Sequence, residues 1–391
     1  MAPSGQSDVG WRIAAARGRR GLTQLDLAQL VGMSLSLLKK IEQNSRPATA
    51  DVRRAIARGL GMDEDELFAD PSGTPSKVHN AIPLIRRIIG SLDHPEDGPT
   101  RPVDKLTQAT ATLVGYRVAS QYGRLSDELP TVLSELARAA HSRSGTANER
   151  AAELLVQGLR AADGIAYKFG YLDLSAWIIE RMRRTSEQLQ DELVGAATAY
   201  VHTETFFATG DLSAAERALN QAAGRISPEK SMAAAATYGS LHMRAAVVAA
   251  RARKASSAND HLAEARQVVA RVREGVYYGT ACGSASVRIH EVAVAVELGD
   301  AAGALHAAKD WAPPSELPAE RRSHFYIDLA SAQLWAGRRD RSLGSLQAAR
   351  QIAPQHVREH PRVKETVQTL LRLSRRPDAA LIGFASWLSL I

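Results

Sequence analysis

The stretch Arg19-Arg20-Gly21-Leu22-Thr23-Gln24-Leu25-Asp26-Leu27-Ala28-Gln29-Leu30-Val31-Gly32-Met33-Ser34 decides the fold of the first part of the chain. Gly21 closes a first helix that begins near Val9, because glycine ends helices at no Cβ penalty. Thr23 offers an N-cap hydroxyl, Asp26 three residues on makes a capping-box variant, and Leu22 can staple onto Leu27. A second helix therefore spans about Gln24 to Val31. Gly32-Met33 is a tight turn, and Ser34 caps a third helix that reaches about Gln43.

Outward from there the punctuation continues. Asn44 to Pro47 form a loop, and Thr49 caps a fourth helix with Asp51 in its first turn and Gly61 at its end. A last turn from Asp63 to Phe68 makes five short helices. Leu27, Val31, Leu38, Ile41, Val52, Ile56 and Leu60 recur at helical spacing and supply one small core. Ala28 is small where the second helix meets the third. Two helices joined through so short a turn push the second of them outward, the arrangement that enters a major groove.

Charge is concentrated in the same place. The whole chain of 391 residues carries a formal +7. Val9 to Arg58 alone hold ten basic residues (Arg12, Arg17, Arg19, Arg20, Lys39, Lys40, Arg46, Arg53, Arg54 and Arg58) against the acids Asp26, Glu42 and Asp51, which is the same excess. Asp63 to Glu66 then reverse the sign. A compact basic unit beside a near-neutral remainder fits a polyanion partner. The solvated surface of an arginine-rich protein fits the charge equally well, so charge alone leaves both readings open.

The run Arg19-Arg20-Gly21-Leu22-Thr23-Gln24, Leu27-Ala28, Val31-Gly32-Met33-Ser34 and Leu38-Lys39-Lys40-Ile41-Glu42 resembles the λ-repressor-like, xenobiotic-response-element class of helix-turn-helix transcriptional regulators. The resemblance covers about Val9 to Phe68. It implies binding to double-stranded DNA, with Gln24 on a phosphate at a helix N-terminus. It places Ser34, Leu35, Ser36, Lys39 and Lys40 on the recognition helix, with Gln43, Arg46 and Arg53 as phosphate contacts. Arg17 and Glu42 match a structural pair that locks the first helix to the third. Leu35 departs from the pattern, since relatives carry a polar reader there. It can touch a thymine methyl but cannot donate a bidentate bond, which leaves base specificity to Lys40, Ser36 and DNA shape.

Pro71 to Pro75 and Asp93 to Pro102 read as linker, with one short helix at Ile82 to Leu92 between them. Past Val103 the chain is helix after helix with no alternating strand signal. Turns begin at Gly170, Gly210, Gly299 and Gly337, each followed five residues on by a small residue. A degenerate copy lies at Arg253 to Ala258, and an earlier one starts at Gly123. The intervals are about 40 to 46 residues and then 38, with Pro354 closing the last unit. The pattern resembles tetratricopeptide repeats with lengthened connections, though most consensus aromatic positions are missing. Such stacks leave a concave groove lined by the first helix of each pair. At helical spacing, Arg160, Tyr167, Tyr200, Glu204, Phe207 and Met243 face it as candidate effector-binding residues.

The remaining features mostly exclude. No apolar run of about 18 residues exists, so no membrane span is expected. The first twenty residues lack an apolar signal core, and the segment from Ala379 to Ile391 reads as a packed last helix. Cys282 stands alone, which excludes a disulfide framework and suits a reducing cytoplasm. His356 and His360 stand four apart with Glu359 between them, but no third metal ligand is indicated, and they read as a surface pair. No phosphate loop or nucleophile elbow is present, so neither an enzyme nor a cofactor is expected.

The expectation is an all-α chain: a five-helix λ-repressor-like DNA-binding domain over residues 1–70, a linker with a short helix over 71–102, and a tetratricopeptide-like α-solenoid over 103–391. The function expected is that of a cytoplasmic, homodimeric DNA-binding regulator. Bacterial regulators of this architecture sense a peptide or small molecule, which the resemblance carries over as a possible effector. The competing reading is a protein-interaction scaffold whose helix-turn-helix unit no longer reads DNA.

Overall fold

A computed structural model of the chain describes residues 9–43, 45–46, 48–62, 67, 73–142 and 146–391, and within it two compact units, one up to Asn80 and one from Ala81 onward.

The first unit holds α1 (Val9–Arg19), α2 (Gln24–Leu30), α3 (Leu35–Glu42) and α4 (Ala50–Gly59). Gly21 and Gly32 both take left-handed backbone, φ +65° and +67°, where the chain reverses before α2 and before α3. The Thr23–Asp26 capping box forms, and the Ser34 hydroxyl accepts from the Leu37 amide at 3.2 Å. Thr49 takes the N-cap position of α4, but its side chain makes no cap bond. The turn expected from Asp63 to Phe68 lies outside the described residues except for Leu67, which is helical and buried. Ile13, Leu27, Ala28, Leu38, Ile41, Ile56, Leu60 and Leu67 make the core, with Val31 and Val52 half-buried at its edge.

α5 (Gly73–Gly90) is longer than the expected short helix and starts within the expected linker. Pro75 falls in its first turn, where a missing N–H costs nothing, so the proline there does not prevent a helix. The segment after it is fastened. Arg138 donates to the Pro99 carbonyl at 2.8 Å and to Thr100 Oγ1 at 3.2 Å, and Arg101 pairs with Glu135 at 2.8 Å.

The second unit is a series of helical hairpins. The pairs are α6 (Val103–Val118) with α7 (Tyr122–Ser142), α8 (Thr146–Lys168) with α9 (Leu172–Leu189), and α10 (Glu192–Thr209) with α11 (Leu212–Ala223). Then come α12 (Met232–Arg251) with α13 (Ala255–Val269), α14 (Ser284–Leu298) with α15 (Ala301–Ala307), and α16 (Ala319–Trp335) with α17 (Arg339–Ile352). α18 (Pro354–Glu359), α19 (Pro361–Leu373) and α20 (Ala379–Trp387) close the stack. Gly170, Gly210, Gly299 and Gly337 all have φ between +73° and +81°, and Arg253 takes φ +62° without being glycine. The small residues five positions on (Ser175, Ala215, Ala258, Ala304 and Ser342) are all buried where paired helices cross. The turn read at Gly123 lies earlier, at Ser120, with φ +57°. First helices of successive pairs pack on one another, which makes the array a solenoid.

The expectation of no strands is corrected. β1 (Gly275–Tyr277) and β2 (Thr280–Cys282) form an antiparallel hairpin. Its two-residue turn, Tyr278-Gly279, has φ +47° and +76°, the doubly left-handed backbone of a tight hairpin turn. No described helix is long and apolar enough to cross a membrane.

Candidate nucleic-acid interface and the charged interior of the repeats

α3 separates its side chains by sign. Leu38 and Ile41 face the core, while Ser34, Ser36, Lys39, Lys40, Gln43 and Arg46 are exposed. The one acid between Ser34 and Arg46 is Glu42, and it is turned inward with 4% of its side chain exposed. Arg17 grips it with both arms, Nε to Oε1 at 2.8 Å and Nη2 to Oε2 at 3.2 Å, and donates a third bond to the Leu22 carbonyl at 2.9 Å. The hydrogen bond to Glu42 is the main reason the Arg17 pKa is raised. α1 therefore holds α3 by its last turn, and the outer face carries only cations and neutral polar groups. Ser34 keeps its hydroxyl proton available, because the cap bond uses only its lone pair.

The expected contacts do not all stand alike. Gln24, read as a phosphate ligand, donates its amide to Glu42 Oε2 at 2.6 Å and is half-buried, so one of its two protons already braces α3. Leu35, read on the recognition face, is half-buried and packs against the domain core, as does Leu37. That corrects the place of Leu35 on the exposed face of the recognition helix. Arg53 is half-buried on α4.

In the second unit, Arg160, Tyr167, Tyr200, Glu204 and Phe207 come together on α8 and α10, as expected of a solenoid interior. Met243 does not join them. It is 1% exposed, in a core with Ala236, Val269 and Cys282, so its place as an effector contact is corrected. Arg160 and Tyr200 are 8% and 6% exposed and already committed. Arg160 donates to Thr280 Oγ1 at 2.6 Å and to the Tyr278 carbonyl, and Arg321 donates to the Tyr200 hydroxyl at 2.8 Å. Phe207 lies under two guanidiniums, Arg244 at 4.5 Å and Arg251 at 4.3 Å from its ring centre.

Composition and spacing missed the charges that fill this interior. Arg117, Lys168, Arg244 and Arg321 stand with Asp163 and Glu320 on the first helices, and Lys168 pairs with Glu320 at 2.6 Å. Burial, then the Arg117 cation, pulls the Arg160 pKa down to about 9. Burial, then Glu204, raises the Asp163 carboxyl well above its usual range. Burial also pushes the Tyr200 phenol up, but Arg321, Arg244 and Arg160 outweigh it and leave the value lowered. Among the described residues here, the cations Arg117, Arg160, Lys168, Arg244 and Arg321 outnumber the acids Asp163, Glu204 and Glu320. A cleft of about 160 Å³ opens beside them, lined by Gln157, Arg160, Asp191, Val194, Thr198 and Tyr278. The available signal was a charge such as Asp163 set among Ala161, Ala162, Ile165 and Ala166 on an otherwise apolar face.

The surface pair read at His356 and His360 is also corrected. A break between α18 and α19 separates them, and His356 is 2% exposed.

Residues 8–68 match the family model described as a helix-turn-helix domain. No curated protein matches the chain. Among solved structures, PlcR from Bacillus thuringiensis, in complex with the peptide PapR7 and DNA, is 15% identical with a TM-score of 0.31, covering 68% of this chain and 95% of that one. A mutant of PrgX is 8% identical with a TM-score of 0.29, covering 97% of this chain and 100% of that one.

Proposed function

We propose that the chain is a sequence-specific DNA-binding transcriptional regulator acting in the cytoplasm, without enzymatic activity. The observation that carries this reading is the outer face of α3. Ser34, Ser36, Lys39, Lys40, Gln43 and Arg46 are exposed together, while Glu42, the one acid in the sequence between Ser34 and Arg46, is neutralised from behind by Arg17. A helix presented in this way suits the major groove, where lysine reaches guanine acceptors or phosphates and serine bonds either. The helix-turn-helix match over residues 8–68 supports the same reading. As a homodimer, the regulator sets two such helices about 34 Å apart on successive major grooves, so its operator is pseudo-palindromic.

The interior of the repeats is the proposed effector site. Its excess of cations, with the Tyr167 ring beside them, suits a peptide or small molecule that carries an anionic group.

Selection of genomic fragments bound by the full chain, with Lys40→Ala in parallel, tests the DNA reading. The wild type enriches a two-half-site sequence, and its affinity falls steeply with salt because bound phosphates release counterions. Lys40→Ala binds more weakly, with the salt slope reduced by about 1 if Lys40 meets a phosphate. Equal, sequence-blind binding by both proteins overturns the reading.

A further inference from the structure

Three imidazoles meet near the end of the solenoid. His324 stands on α16, His356 on α18, and His360 at the break before α19. Their ring centres form a nearly equal triangle, 5.4 Å from His324 to His356, 4.9 Å from His324 to His360 and 5.3 Å from His356 to His360. One nitrogen of each lies within 4.8 Å of the other two.

Ser323 Oγ stands 2.9 Å from the Glu320 carbonyl oxygen and 2.8 Å from His356 Nδ1. With the serine proton on the carbonyl, the ring donates from Nδ1 and Nε2 is the lone pair open to a metal. Nε2 is buried and without a partner. His360 Nδ1 is a second buried ring nitrogen without one. Buried polar atoms are normally paired, so an orphan on each of two rings whose centres are 5.3 Å apart points to a partner between them. His324 turns Nδ1 toward Asp328 Oδ2 at 3.6 Å, and Asp328 is held by Arg362 at 2.6 Å. A carboxylate or hydroxyl behind an imidazole is the outer support that metal-binding histidines use.

We propose that His324, His356 and His360 bind a divalent transition-metal ion, zinc first among them. Three imidazoles on one tetrahedral ion, each bonded at about 2.0–2.1 Å, place their nitrogens about 3.3 Å apart and their ring centres about 5 Å apart. The ring centres already stand at that spacing. Small rotations of His324 and His360, the two less buried rings, close the nitrogens around a fixed His356. An all-imidazole set selects zinc, copper or nickel over the hard cations that prefer oxygen. Asp328 and Glu320 offset the nearby charges of Arg362 and Lys168. The ion ties α16 to α18 and α19 and keeps a fourth position for water. None of this depends on the DNA reading.

The test uses tag-free, full-length protein stripped with a chelator and titrated calorimetrically with zinc alone, with cobalt as the spectroscopic stand-in. The expected result is one ion per chain, the intense visible bands of four-coordinate cobalt, and a higher melting temperature with zinc. His324→Ala and His360→Ala each weaken binding beyond the roughly 10–100-fold that loss of an outer support costs. His242→Ala, taken from the other close histidine pair (3.0 Å to His261), leaves binding unchanged. In the unmutated chain, zinc protects His324, His356 and His360 from acylation read by mass spectrometry, which requires no variant to fold. No uptake, wild-type affinity in both alanine variants, or protection elsewhere overturns the site.

Discussion

Arg160 on α8 and Thr280 on β2 are joined by a 2.6 Å hydrogen bond that spans 120 positions of the chain. Arg160 also holds the Tyr278 carbonyl, and Arg117 on α6 holds the Gly279 carbonyl. The hairpin between α13 and α14 is thereby clasped to the first two repeat pairs. Arg160 is an expensive charge to bury, and the tip of the hairpin supplies the acceptors that make its burial tolerable.

Thr280→Val tests the clasp. Valine keeps the shape but leaves a buried, charged donor one acceptor short, which costs about 1–3 kcal/mol. The urea midpoint should fall with an unchanged slope, because the surface exposed on unfolding is the same. A midpoint identical to that of the wild type would show that the clasp carries no stability.

Gly10 on α1 packs directly against the backbone at the end of α3. A Cβ built there meets the Glu42 carbonyl oxygen at 2.0 Å, backbone against backbone, so no side chain can yield. Gly10→Ala should destabilise the first unit by about 1–3 kcal/mol, the usual cost of overpacking. Amide exchange of α3 in the full chain reads the effect directly: faster exchange is expected there, and unchanged exchange in α12 serves as the internal reference.

How much of this was legible follows from what each signal depends on. The caps at Thr23 and Ser34 and the left-handed glycines at 170, 210, 299 and 337 act within a few residues, so they could be read from the string. The closeness of Gly10 to Glu42 depends on two helices far apart in sequence, and nothing near Gly10 announces it. Tyr278-Gly279 is a hairpin turn flanked by strands of only three residues, too short to show alternation. On the outer face of α3, exposure of Lys39 and Lys40 followed from helical spacing, while the use of Gln24 as a brace required the position of Glu42. In the repeats, spacing placed Arg160, Tyr167, Tyr200, Glu204 and Phe207 in one region. It misplaced Met243, because α12 is buried around most of its circumference and has no outer face to read.

Glu42 links three helices through Arg17 and Gln24. Glu42→Gln keeps the volume but removes the charge and turns one of two accepting oxygens into an amide donor that faces Arg17, so one Arg17 bond is lost and the other weakens, at a cost of about 2–3 kcal/mol. Because Glu42 faces inward, the prediction separates scaffold from reader. DNA affinity in the variant should fall together with protection of α3 from exchange, while the salt slope stays that of the wild type. A changed slope with unchanged protection would instead place Glu42 at the DNA surface.

Asp163 carries the pH prediction. Its Oδ1 accepts from the Ser175 hydroxyl at 2.6 Å, but burial and the neighbouring Glu204 oppose ionisation more strongly than that bond or Arg160 favours it. Its folded-state pKa is therefore above the unfolded one. A group shifted in this direction contributes its full stability below the unfolded pKa, near 3.9, and loses it as pH rises toward and through the folded value. Asparagine never ionises and loses nothing. Asp163→Asn should thus come closest to the wild type below about pH 3, gain on it as pH rises through the ordinary carboxylate range, and hold a constant lead above the folded pKa. Melting temperatures of the two proteins, compared at each pH, cancel every other titrating group that the substitution leaves alone. A lead that shrinks with rising pH would mean that Asp163 is ionised in the fold and that Arg160, rather than burial, governs it.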